Sequence, residues 1–276
     1  MKSHGFSAFL ILGISLLVSA ASPRPNNSPV RIPKLWSVHI DEVMPSSMRE
    51  YNRLDAKQSV IRDSLYRANQ LPVTPVYSFR TKKGKSFSFR SKNAYGDFDQ
   101  ASRPPDELQK LFDSVVRPYS DTMHTLLRHH HNELWTWDSS KSSCAQDMQT
   151  SAGAMKYAFL RSEWVKPGME EVYDSVMSKF AEALRKVDAS VCRLTFYSRY
   201  GSGAVHSLFF AEGAEHLQPI IQRRSLLSEA FGMQEAVALT QSWSACLSGS
   251  EEAELIIDLP ATNLSPDAPW FGMVGR

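Results

Sequence analysis

Cysteine is scarce in this chain, net charge is nearly absent, and long apolar runs are missing beyond the first twenty residues. Only Cys144, Cys192 and Cys246 occur among 276 residues. No two of them sit at metal-ligand spacing, which argues against a cysteine-based zinc module. An odd number leaves at least one thiol over, or an intermolecular bridge. Lys and Arg number 31 against 29 Asp and Glu, for a net charge of +2, so no global field draws the chain to nucleic acid or a membrane surface. No later segment is long and apolar enough to cross a bilayer, and no cysteine follows the apolar run at a lipid-attachment position. Stable membrane insertion is therefore not expected. Gly201-Ser202-Gly203 sits in a hairpin, whereas a phosphate loop leads into a helix, so no nucleotide site is read there.

The early apolar run is itself informative. Lys2 supplies a positive start, Phe6 to Val18 is almost wholly apolar, and Val18-Ser19-Ala20 offers the small residues that signal peptidase needs. About 13 apolar residues fall short of the roughly 20 that a spanning helix requires. Residues 1–20 are thus expected to be a cleaved signal peptide, and the protein to be periplasmic or extracellular. Cleavage removes one lysine and no acid, taking the charge from +2 to +1. The roughly 256 residues left are enough for two domains of ordinary size. Disulfides persist in such a compartment, although Cys192 and Cys246 read first as buried, unreactive thiols.

Periodicity divides the rest. Residues 21–33 are rich in Pro, Asn and Ser and read as a flexible leader. Leu35 to Val43 alternates like a strand, and Met48, Tyr51, Leu54, Ile61 and Leu65 then fall at helical spacing. Val76–Arg80 and Lys85–Arg90 form a hairpin around Gly84, Leu108 to Leu126 a helix that Pro118 should split, and Leu134–Asp138 a closing strand. Residues 34–138 therefore read βαββαβ. After a Ser-rich linker at 139–155 the order repeats over 156–262, followed by a tail at 263–276. Pro45 and Tyr51 map onto Pro167 and Tyr173 with one offset of 122.

A βαββαβ order in one antiparallel sheet gives a ferredoxin-like unit, with both helices on one face. The bare faces of two linked units can bury each other. On Val165-Lys166-Pro167-Gly168-Met169-Glu170 with its helix and hairpin, and on Val43-Met44-Pro45, the chain resembles the dimeric α+β barrel superfamily. The resemblance implies an α+β fold of two tandem ferredoxin-like units, their antiparallel sheets packed face to face around a cavity. It also implies company that includes small monooxygenases, haem enzymes and proteins without known function. In this topology Cys192 and Cys246 fall toward opposite ends of the sheet, too far apart to bridge, and Cys144 alone is free to choose a partner.

In the first strand Trp36, Val38 and Ile40 alternate with Ser37, His39 and Asp41. If the apolar set meets the helices, His39 and Asp41 face the shared interior. The same offset carries them onto Arg161 and Glu163, while Arg193, Thr195, Tyr197 and Arg199 share the bare side of a neighbouring strand and His206 lies nearby. His39 is the candidate general base with Asp41 orienting it. Arg161, Glu163, Arg193, Tyr197, Arg199 and His206 are candidate ligand-binding residues, and the alternative is that these charges merely satisfy one another.

No cofactor is expected, haem being the alternative with His124, His206 or His216 as axial ligand. No metal site is read, because His129-His130-His131 is taken as a helix terminus whose consecutive side chains diverge. The basic hairpin Arg80, Lys82, Lys83, Lys85, Arg90 and Lys92 reads as protection of an edge strand, with no nucleic-acid partner. The reading that follows is an exported protein binding a small, anionic or aromatic organic ligand between its sheets. The alternatives are a cofactor-independent monooxygenase-like enzyme and a non-catalytic interaction protein, with homo-oligomerisation open.

Overall fold

Proline punctuates both halves at equivalent points. Pro45 enters a single 3-10 turn that leads into the first helix, and Gly168 at φ +82° follows Pro167 in the turn before its counterpart. The computed structural model describes residues 34–69, 76–92, 106–143, 157–187, 191–211 and 213–257. The expected signal peptide, leader and tail lie outside the described residues, as does Cys144.

The first half runs β1 (Leu35–Val43), α1 (Met48–Ala68), β2 (Val76–Arg80), β3 (Lys85–Lys92), α2 (Asp106–Val115), α3 (Arg117–His124) and β4 (Leu127–Ser143). The second runs β5 (Tyr157–Val165), α4 (Glu170–Lys186), β6 (Val191–Tyr200), β7 (Val205–Ala211), α5 (Gln218–Ile221), α6 (Arg223–Phe231), α7 (Met233–Cys246) and β8 (Leu247–Ile257). Pro118 stands in the first turn of α3, and the helix is split there as expected. Within the halves the strand orders are β4-β1-β3-β2 and β8-β5-β7-β6, the same arrangement twice. The sheets face each other and also join edge to edge, β2 to β8 and β4 to β6, closing an eight-stranded antiparallel barrel within one chain.

Three expectations need correcting. The strand β4 begins at Leu127 and continues to Ser143, so His129-His130-His131 lies on a strand and the linker's first five residues are also strand. Cys192 is disulfide-bonded to a partner outside the described residues, whereas Cys246 is a free, buried thiol. The third correction is the facing of the sheets. Trp36, Val38 and Ile40 pack with Phe79, Phe89, Trp135, Leu160, Phe196 and Phe210 from both halves inside the barrel. The alternating set that carries His39 and Asp41 therefore lies outside, beneath helices.

Barrel geometry explains the reversal. Eight strands enclose an interior just wide enough for side chains to fill, or to hold one small ligand. Sealing it with large apolar side chains stabilises by about 1.5–3 kcal/mol each. The outer faces are also covered: α4, α6 and α7 bury Phe159, Val205 and Phe209 with Phe180, Leu227 and Trp243. Over the first half a smaller cluster of Val43, Tyr51, Leu54 and Met123 serves the same purpose.

Candidate functional site

One mouth of the barrel keeps a cavity of about 220 Å³, formed where β1 and β5 end, β3 and β4 begin, and the β6–β7 hairpin turns. Phe87, Trp135 and Trp164 give it aromatic walls. Glu133 and His206, 4% and 3% exposed, stand inside it. His206 stacks on Trp135 with ring centroids 3.8 Å apart. Its Nδ1 lies 2.9 Å from Ser162 Oγ, its cross-strand neighbour, and its Nε2 lies 3.5 Å from Glu133 Oε2. Trp135 Nε1 and Ser202 Oγ donate to the same carboxylate oxygen at 2.8 and 2.9 Å. Burial would raise the Glu133 carboxyl, but hydrogen bonds from His206, Trp135 and Ser202 outweigh it and hold it at about 2. Burial lowers His206, and Glu133 offsets this only in part.

His131 completes the arrangement. Its Nε2 lies 3.3 Å from Glu133 Oε1, and its Nδ1 is buried with no hydrogen-bond partner among the described residues. Glu133 thus favours the tautomer in which Nε2 carries the proton, leaving a lone pair on Nδ1. A carboxylate orienting an imidazole so that one nitrogen stays basic is a general-base arrangement.

The expected pair His39 and Asp41 forms a different cluster on the outer face. Antiparallel register sets Asp41 opposite His130 and His39 opposite Asn132. His130 Nδ1 and His39 Nε2 lie 2.8 and 3.3 Å from Asp41 Oδ1, and Tyr51 donates from α1 to Asp41 Oδ2. His39 Nδ1 is 2.9 Å from Asn132 Oδ1. Burial would raise the Asp41 carboxyl, yet hydrogen bonds from His39, Tyr51 and His130 hold it well below its ordinary value. Burial pulls the His39 imidazole down, and Asp41 more than compensates, leaving it raised. A second cavity of about 210 Å³ opens beside them between sheet and helices, lined also by His124, Arg62 and Arg90.

The remaining expected residues do not converge on either cavity, except His206. Arg161 is 1% exposed beneath the second helix layer, donating to Glu252 Oε1 at 2.7 Å and to the Ile220 carbonyl. Glu163 accepts from Tyr173, Trp243 and Arg223 at 2.8, 3.1 and 2.7 Å. Arg193 is fully buried between Phe180 and Phe209, donates to Ser207 Oγ, and is lowered by burial to about 10. Tyr197 donates to Asp174 and accepts from Lys141, while Arg199 is exposed and reaches Thr136. Tyr51 with Asp41 and Tyr173 with Glu163 repeat one buried motif at the offset of 122.

Among the described residues nothing is arranged to hold haem. Both ring nitrogens of His206 face protein partners, and both cavities fall below the ~300–1,000 Å³ of pockets for drug-sized ligands. An open groove of about 830 Å³ over α6 and α7 is lined by Arg223, Glu229 and Met233 but by none of the three candidate histidines.

No family model and no curated protein matches the chain. Solved structures do match. A protein assigned as a monooxygenase from Fusobacterium nucleatum subsp. nucleatum superposes with TM-score 0.51 at 10% identity, over 82% of this chain and 94% of its own. An anthrone oxidase-like protein gives 0.50 at 9% identity, over 84% and 94%. A tryptophan-to-valine variant of chlorite dismutase from Candidatus Nitrospira defluvii gives 0.50 at 9%, over 83% and 93%. The chain shares the fold of these proteins, an α+β barrel closed by two antiparallel half-sheets. At such identities the likeness is one of fold, and the coverage extends it across both halves.

Proposed function

We propose that the barrel mouth binds a small aromatic molecule and that His131, oriented by Glu133, takes a proton from it. The observation that carries this reading is the part-buried Glu133–His131 contact, with an Nδ1 unpartnered among the described residues, in the wall of an aromatic-lined cavity. The ligand is aromatic rather than anionic, because Glu42, Glu133 and Glu251 line the cavity and its single lysine, Lys85, is already paired with Glu251. Export belongs to the same proposal: the Cys192 disulfide suits an oxidising compartment.

Oxidation by dioxygen is the natural consequence of such proton removal. An activated methylene that loses its proton passes electrons to O₂. The carbon loses two hydrogens, one oxygen atom becomes a carbonyl, and the other leaves as water carrying both protons, one relayed through His131. The monooxygenase-assigned and anthrone oxidase-like neighbours support this chemistry by fold analogy alone.

Anthrone is the probe. Titration should quench the fluorescence of Trp135 and Trp164, and O₂ uptake should exceed the uncatalysed rate. His131→Gln should retain binding and lose turnover about 10²-fold or more, the range of general-base catalysis. Absence of quenching would remove the ligand site. Turnover unchanged in His131→Gln would remove His131 as the base.

A further inference from the structure

The outer cluster has no part in that chemistry, and its donor set suits a different ligand. We propose that His39, Asp41 and His130 bind a divalent transition-metal ion through His39 Nε2, Asp41 Oδ1 and His130 Nδ1. These three atoms lie within 4.8 Å of one another. Around an ion with bonds of ~2.0–2.1 Å, tetrahedral ligand atoms stand roughly 3.4 Å apart. The measured separations from Asp41 Oδ1, 3.3 Å to His39 and 2.8 Å to His130, need only small rotations to meet that.

The surroundings point the same way. His39 Nδ1 donates to Asn132 Oδ1 at 2.9 Å, as the second nitrogen of a metal-bound imidazole does when an outer partner fixes its tautomer. His39 Nε2 meets Asp41 Oδ1 at 3.3 Å through a proton, and a metal ion can take that proton's place between the two ligand atoms. Tyr51, on α1, holds the other oxygen of Asp41, so the carboxylate is positioned from both sides. His39 and His130 are half-exposed and reach solvent, which gives the ion a way in.

Two imidazoles and one carboxylate with open positions are the facial set of non-haem iron, and the same donors suit zinc or cobalt. The 210 Å³ cavity beside His39 and Asp41 supplies the open side. Its lining includes Gln58, Ser59, Ser78 and Ser88, the cations Arg62 and Arg90 and the acid Asp55, which suits water as the remaining ligand.

The experiment is a titration of the chelator-dialysed full chain with Co²⁺, followed by visible absorption and calorimetry. One equivalent of Co²⁺ should bind with a new d–d band. His130→Ala and Asp41→Asn should each weaken binding more than tenfold, Asn132→Ala about tenfold, and His216→Ala not at all. Asp41→Asn also disturbs the bond to buried Tyr51, so the half-exposed His130→Ala carries the test, with its circular dichroism checked against wild type. A wild-type protein that takes up no Co²⁺, or a folded His130→Ala that binds it as tightly as wild type, overturns the site. Neither result bears on the barrel mouth.

Discussion

At the scale of single residues, Glu133 and His206 tie the barrel mouth to pH. Glu133 titrates at about 2 in the folded protein against an ordinary 4.5, and His206 is lowered below 6.5 by burial. In both cases the unfolded chain binds more protons than the folded one, so stability rises with pH. The contribution of His206 is present above about 6.5 and is lost as pH falls through its folded value. That of Glu133 is lost at lower pH, between about 4.5 and 2. His206 alone should pull urea midpoints down from pH 7 to pH 5 while the raised His39 pulls them up, so His206→Gln should shift the slope toward higher stability at low pH relative to wild type. An equal slope in the variant would show that other groups set it. His206 was legible as a candidate because it lies on a hairpin strand next to polar neighbours. Glu133 and His131 were not, because their role depends on β4 starting seven residues earlier than its apolar pattern suggests.

Elements decide which of these residues meet. Strand alternation splits the histidine run: His129 and His131 enter the barrel mouth, whereas His130 turns outward to Asp41. Read as a helix end, the same three residues diverge to no purpose. Read as strand, they serve two sites. Alternation also divided β1 correctly into two sets, yet it could not say which set was inside, since helices cover one face and the opposite sheet the other. Both faces are buried, so neither set was forced to be the apolar one. The hairpin between β6 and β7 makes a sharper demand. Gly201 sits at φ +121°, and a Cβ there would lie 2.6 Å from Glu133 Cγ. Gly201→Ala should destabilise by about 1–3 kcal/mol from backbone strain and displace Glu133 as well. Thermal melts should show the first effect and loss of anthrone quenching the second. Quenching retained at wild-type affinity would mean that Glu133 tolerates displacement.

At the scale of the molecule, the barrel closes along two seams. Between β4 and β6 the register runs over Leu134–Asp138 and resumes at Ser143, and among the described residues β2 and β8 pair at Phe79↔Ile257 and Arg80↔Ile256. Side chains tie the second seam: Lys82 pairs with Glu254 at 3.1 Å and Lys85 with Glu251 at 2.5 Å. The basic hairpin of the first half thus meets the acidic closing strand of the second, and Lys82 and Lys85 join two sheets instead of guarding a free edge. That partnership was invisible in the hairpin alone, because its acids lie about 170 residues away along the chain. Largely exposed pairs of this kind contribute only about 0–1 kcal/mol each and are screened by salt. Local opening should therefore begin at this seam, at a free energy below that of global unfolding. Amide exchange should be faster for the paired residues of β2 and β8 than for those of β1 and β4, and should accelerate there on going from 0.05 to about 1 M salt. Uniform protection around the barrel would show that the packed aromatic interior, not the strand pairing, sets where it opens.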